Sequence, residues 1–255
     1  MNHLSPSQRE RYDQDGFLVI DSFLSPDEVA SVRAGLARAC ASVSGATQDR
    51  RGFNFEKVGD AHLDQKAAVK RPGMLRKIQG AIFEVEEIRR VFCEGRMLDI
   101  MEDLLGPELY YHSSKAMLKP AHGGAPKPWH QDAAYWASYE AKQITVWIAI
   151  DDADETNGCV WAIPGSHKLG LIPHVAQELQ VEESRIDLAK AQPVPVKSGG
   201  LLIFHSLVLH MSHRNDSDRN RWAIICDYDS NPNPSVDVPD GRRVVPLRGV
   251  PASAV

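Results

Sequence analysis

Two rhythms of apolar residues divide this chain near residue 107. Before that point, Val29, Val32, Leu36 and Cys40 recur at helical spacing behind Ser25-Pro26-Asp27-Glu28. The serine supplies an N-cap, the proline suits the first helical position, and the acids complement the positive end of the helix dipole. A helix is predicted to start there and to end by Gly45. Met97, Ile100, Met101, Leu104 and Leu105 predict a second one, stopped by Gly106-Pro107. One short strand, Phe17 to Ile20, is expected ahead of both.

Beyond residue 107 the apolar runs shorten, and Gly, Pro, Asn and Asp separate them. Ile144 to Ile150 places Ile144, Val146, Ile148 and Ile150 on one face and Thr145, Trp147 and Ala149 on the other, the period of a strand. Val160–Ile163, Leu201–Phe204 and Arg221–Tyr228 predict further strands. Short strands at close spacing imply a sandwich or barrel rather than βαβ units. The expected architecture is mainly β with flanking α-helices: one domain over 1–255, its helical N-terminal third packed on a β core from about 107. Residues 119–128, KPAHGGAPKP, and the proline-rich tail from Asn231 are expected to be mobile loops. The first of these is expected to close over the site as a lid.

Composition narrows the function classes. Hydrophobic residues make up 43% and charged residues 25% of 255, which excludes disordered and coiled-coil readings. Twenty-nine basic against 34 acidic side chains give a net charge of −5, with no strongly basic half, so neither nucleic acid nor a membrane is expected as a partner. Cys40, Cys93, Cys159 and Cys226 form no CxxC pair, and the N-terminus carries no apolar run. The C-terminal Ser253-Ala254-Val255 is not a Ser-Lys-Leu address. A cytoplasmic, reducing location is expected, and the pattern is silent on oligomeric state.

Candidate chemistry centres on Trp129-His130-Gln131-Asp132. On an extended backbone, residues two apart point the same way, so His130 and Asp132 can converge on a metal. His210, after the strand Leu201–Phe204 and before a polar turn, is a candidate third ligand, although His205 and His213 leave the assignment ambiguous by composition. Two histidines and a carboxylate on one face leave open positions, as in non-haem Fe(II) oxygenases. Arg221 begins an otherwise apolar strand, and burying an unpaired guanidinium is costly. It requires a carboxylate, either from the protein's own acids or from the distal end of 2-oxoglutarate.

Several segments together resemble the phytanoyl-CoA dioxygenase family of Fe(II)/2-oxoglutarate-dependent oxygenases. They are Asp15-Gly16-Phe17-Leu18-Val19, Leu75-Arg76-Lys77-Ile78, Trp129-His130-Gln131-Asp132, Asn157-Gly158-Cys159 with Pro164-Gly165-Ser166-His167-Lys168, and Phe204-His205 through His210 to Arg221. The resemblance implies a double-stranded β-helix, the cupin-like jelly roll, with His130, Asp132 and His210 as iron ligands and Arg221 anchoring 2-oxoglutarate. It selects His210 over its neighbours. Ser212 and Lys77 match positions that assist cosubstrate binding, Trp147 one that lines the cosubstrate pocket, and Gln131, between two ligands, is a candidate for touching cosubstrate. The implied reaction consumes 2-oxoglutarate and O2, releases succinate and CO2, and hydroxylates or otherwise oxidises a small organic metabolite. An acyl-CoA reader would show basic residues at the pocket mouth. Lys66, Lys70, Arg71, Arg76 and Lys77 are candidates, though a solvated basic face is the favoured reading of them. The alternatives are a metal-dependent cupin-like isomerase or lyase, which has no need of Arg221 as a carboxylate clamp, and a non-catalytic jelly-roll binding module, whose decay would not spare all three ligands and the arginine.

Overall fold

The computed structural model describes residues 3–46, 48–55, 74–124, 126–136, 142–175, 179–230 and 245–249. Helices α1 (Pro6–Asp15) and α2 (Pro26–Ser42) each start on a capping box. Ser5 with Gln8, and Ser25 with Glu28, exchange side-chain and backbone hydrogen bonds that satisfy donors at the helix start. Strand β1 (Phe17–Ile20) lies between them, entered through Gly16 at φ 82. Helix α2 stops at Ser42, short of the expected Gly45. There follow β2 (Phe53–Phe55), β3 (Leu75–Gln79), α3 (Ala81–Glu84), α4 (Glu86–Cys93) and α5 (Gly95–Leu105), which ends at Gly106 as its sequence predicts.

The remaining strands are β4 (Leu109–Lys119), β5 (Lys127–His130), β6 (Ile144–Ala149), β7 (Val160–Ala162), β8 (Gln192–Val194), β9 (Leu201–His205), β10 (His210–Ser212), β11 (Arg221–Asp229) and β12 (Val245–Arg248). They form two antiparallel sheets. The larger runs β1-β9-β6-β11-β4-β3-β2, with β12 also on β4; the smaller runs β5-β10-β7-β8. This is the mainly antiparallel jelly roll with flanking helices. The N-terminal third, however, gives three strands to the large sheet rather than one. At three and five residues, β2 and β3 are too short for a two-residue period to declare itself.

Alternation along β6 sets the layering. Ile144, Val146 and Ile148 face the helices and share a core with Leu36, Ile88, Phe92, Met97 and Met101. Trp147 and Ala149 face the other way and join Phe17, Leu202, Phe204, Val160 and Ala162 between the sheets. All six β6 residues are buried, so each face of the strand meets protein. Segment 119–128 departs from expectation, since its ends belong to β4 and β5. Between them, Ala121 and His122 donate backbone hydrogen bonds to Asn220 and Ser217, and Gly123 bridges to Asn215. The described part of this segment between the two strands is therefore a turn tied to residues 215–220. The tail from Asn231 lies outside the described residues as far as residue 244. No helix among the described residues is long and apolar enough to cross a membrane.

Candidate metal centre

His130 and His210 face each other across the β5–β10 pair, their ring centroids 4.1 Å apart. Asp132 joins them: its Oδ1 lies 3.6 Å from His130 Nε2 and 3.8 Å from His210 Nε2. One ligand atom from each of the three falls within 4.8 Å of the others, and all three residues are buried. The convergence does not arise as the sequence suggests. Strand β5 ends at His130, and Asp132 opens a 3-10 turn (Asp132–Trp136) that swings the carboxylate toward the imidazoles.

Each histidine is held in one tautomer. His130 Nδ1 donates to the Pro128 carbonyl at 2.8 Å, and His210 Nδ1 to that of Val208 at 2.9 Å, which leaves both Nε2 lone pairs for a metal. Burial, with the mutual repulsion of the pair, pushes the pKa of His130 well below its usual value; burial lowers His210 too. Both imidazoles thus resist protonation, which suits a ligand. Burial opposes the charge of Asp132, but His210, Lys115, His130 and the Thr145 hydroxyl outweigh it and hold the carboxyl below the usual carboxylate range.

Thr145 is a residue that sequence reading passes over. Its hydroxyl lies 2.8 Å from Asp132 Oδ2 and 2.9 Å from Oδ1 of the buried Asp227, and the Ser113 hydroxyl donates to the other Asp227 oxygen. One hydroxyl proton cannot serve two carboxylates. Burial pushes the Asp227 pKa up, while Lys115 and the Ser113 and Thr145 hydroxyls pull it down. Thr145 donates to the nearer oxygen, Asp132 Oδ2, which leaves Oδ1 turned to the histidines.

A cavity of about 360 Å³ opens above these residues, lined also by Lys77, Trp147, Ser212 and Arg221. The Arg221 guanidinium is 5.5 Å from the Trp147 ring centre, and the residue is 3% exposed. Its Nε and Nη1 are buried with no hydrogen-bond partner among the described residues. Burial lowers its pKa to about 10, against the pull of Cys159 and Asp151. Two orphaned donors on a fixed fork are a receptor for a carboxylate. The Ser212 hydroxyl, beside them, accepts from Lys119 Nζ at 3.0 Å.

Gln131 is not at the cavity. Its amide nitrogen donates to the carbonyls of Gly170 (2.8 Å) and Leu207 (2.7 Å), and its oxygen accepts from Ile172 N at 2.8 Å. The reason is the break between β5 and the 3-10 turn, at which Gln131 turns toward the 170–172 segment. His205 stacks on His167 at 5.7 Å and is half-buried, while His213 is exposed and meets the edge of Trp161. Neither reaches the three-residue cluster. Of the basic candidates, Arg76 and Lys77 line the cavity, whereas Lys66, Lys70 and Arg71 lie outside the described residues.

The sequence of residues 12–223 matches the family model described as phytanoyl-CoA dioxygenase (PhyH). The chain belongs to that family. It is 28% identical over 246 residues to phytanoyl-CoA dioxygenase 1 of Oryza sativa subsp. japonica, covering 87% of each chain. It is 25% identical to a probable alpha-ketoglutarate-dependent hypophosphite dioxygenase of Stutzerimonas stutzeri, over 87% of this chain and 77% of that one. Among solved structures it resembles EctD from S. alaskensis in its apo form, with a TM-score of 0.74 at 22% identity, covering 92% of this chain and 80% of that one. As a member of this family the protein is an Fe(II)/2-oxoglutarate-dependent dioxygenase. The residues present fit both groups: two neutral imidazoles and a carboxylate suit ferrous iron, and the orphaned Arg221 nitrogens suit a dicarboxylate.

Proposed function

We propose that His130, Asp132 and His210 hold the iron, that Arg221 grips the distal carboxylate of 2-oxoglutarate with help from Ser212 and Lys77, and that the enzyme hydroxylates a small organic metabolite. The observation that carries this reading is the pair of buried, unpartnered Arg221 nitrogens facing the same cavity as the three-residue cluster. An isomerase or lyase built on the same ligands would leave that guanidinium buried without a partner, a cost with no return. When bound, iron and 2-oxoglutarate supply the oxidising power to convert a C–H bond and O2 into an alcohol, with succinate and CO2 released.

The chain's own contribution is positional. The Nδ1–carbonyl bonds aim the imidazoles, and Thr145 fixes which Asp132 oxygen faces them. Trp147, Phe204 and Ile225 wall the cavity and keep water from its inner end. The carboxylate of Asp132 also favours hydroxylation over halogen transfer, which needs that ligand position free. Four free cysteines, Cys40, Cys93, Cys159 and Cys226, support a reducing, cytoplasmic setting.

The test is a titration with 2-oxoglutarate of folded wild-type, Arg221→Ala and Arg221→Lys proteins. Alanine is expected to cost about 2–5 kcal/mol, roughly 30-fold to a few thousandfold in affinity, and lysine to restore only part, since a point charge cannot reproduce the planar fork. Iron binding survives in both. Unchanged affinity in Arg221→Ala would mean that the arginine is a structural residue.

A further inference from the structure

Among the described residues six cationic side chains, Arg76, Lys77, Lys115, Lys119, Lys127 and Arg221, line the cavity against one carboxylate, Asp132. Ferrous iron and doubly charged 2-oxoglutarate cancel one another, so the loaded site keeps this surplus. Four of the six have evident work. Arg221 faces the cosubstrate with Lys77 assisting, Lys119 donates to Ser212 and to the His213 carbonyl, and Lys127 sits 5.4 Å from the Tyr135 ring centre. Arg76 and Lys115 remain.

Lys77 and Lys115 are neighbours by register, and Arg76, one residue out of step on β3, reaches the same cavity with its side chain. Strands β3 and β4 pair with Lys77 opposite Met117 and Gln79 opposite Lys115, which puts Lys77 and Lys115 on one sheet face at a diagonal, roughly 7–8 Å apart at the backbone. Burial first, then the charges of Lys115 and Arg76, lower the Lys77 pKa to about 8; Asp49 pulls the other way. Arg76 Nε is buried and makes no hydrogen bond. Lys115 makes no hydrogen bond or close ion pair among the described residues, and Asp227 and Asp132 act on it only through space. A chain that gathers like charges in a half-enclosed cavity, and leaves their donors unused, lacks an anion there.

We infer that Arg76 and Lys115 form a subsite for the substrate's own carboxylate or phosphate group, so that the metabolite oxidised is a small organic anion. The inference rests on the oxygenase reading, since it assigns the second anion of a cavity whose first is 2-oxoglutarate. The two anions lie apart: Arg221 pairs in register with Lys119 at the far end of β4, while Lys115 lies four residues back along that strand, nearer Asp227. This division leaves the space between them for the carbon skeleton that meets the metal.

The experiment uses the full chain with Fe(II) and saturating 2-oxoglutarate under anaerobic conditions, titrated calorimetrically with pentanoate, pentyl phosphate and neutral pentanamide. At least one anion is expected to bind about tenfold or more tighter than the amide, and the preferred anion tells carboxylate from phosphate. Lys115→Met and Arg76→Gln are each expected to weaken that anion about tenfold or more. They should leave the amide unchanged and 2-oxoglutarate within about threefold; Lys115→Arg, which keeps the charge, should recover most of the affinity. Amide binding as tight as either anion, or anions binding equally to wild type and both charge-removing variants, would overturn the subsite. If 2-oxoglutarate itself fails to bind wild type, the Arg221 assignment falls instead, and the same titration on iron-free protein still decides the subsite.

Discussion

The two faces of the large sheet obey different rules. Its outer face buries Ile148, Ile203, Ile224 and Tyr228 against α2, α4 and α5, and even the Tyr228 hydroxyl finds a partner in the Phe92 carbonyl at 2.6 Å. Its inner face, on the same strands one residue out of step, carries Lys77, Lys115, Thr145, Arg221 and Asp227. There, donors are left open and charges crowd. A strand buried on both sides can thus spend one face on stability and reserve the other for chemistry. The comparison predicts that damage to one face leaves the other's property intact.

The largest separation is expected at the ligands. Asp132→Ala, His130→Ala and His210→Ala should each abolish stoichiometric iron binding and turnover with little loss of thermal stability, whereas His213→Ala keeps both. Metal analysis and a melting curve on each variant check this, and loss of iron only in His213→Ala would refute the choice of third ligand. Ile148→Ala makes the converse cut. The residue is fully buried on the helix side, so the change should cost about 2–5 kcal/mol in denaturant unfolding while 2-oxoglutarate affinity of the folded fraction holds.

A smaller effect is expected at Thr145. Thr145→Val keeps the shape but removes the donor to Asp132, and iron affinity should fall by about 10–100-fold. Competition with a chelator measures it; an unchanged affinity would show that packing alone aims the carboxylate. The smallest concerns pH. Lys77 titrates near 8 in the folded chain and near its ordinary, higher value when unfolded, so between those values only the unfolded state keeps the proton. Stability of the cosubstrate-free protein should therefore rise with pH across that window, and Lys77→Met should flatten the rise. A rise of equal slope in Lys77→Met would assign it to other groups.

Much of the outer face was legible in the sequence, because Ile144, Val146 and Ile148 alternate cleanly and α2 and α5 carry their own start and stop signals. The ligand segment was legible by resemblance more than by geometry: the strand period that suggested His130 and Asp132 fails at Gln131, where β5 gives way to a 3-10 turn. What the sequence hides is cross-strand company. Lys115 on β4, Thr145 on β6 and Asp227 on β11 lie far apart in the chain, and only register brings them together. The alternation Lys115-Met117-Lys119 was a readable hint, since two lysines on one face of a buried strand need a common reason.

The Gln131 clamp bears on how such an enzyme can change over generations. Its three hydrogen bonds end on the main chain of Gly170, Ile172 and Leu207, and none depends on which side chains those residues carry. Leu169 and Leu171, in the same segment, are 66% and 48% exposed. Mutation can rewrite that outer surface while the amide beneath keeps its grip and His130 and Asp132 on either side stay aimed. The exposed positions of the segment are free to drift because the Gln131 side chain reads backbone, whereas His174, whose Nε2 accepts from the Gln131 backbone N–H at 3.0 Å, and Gly170, at φ 73, are not.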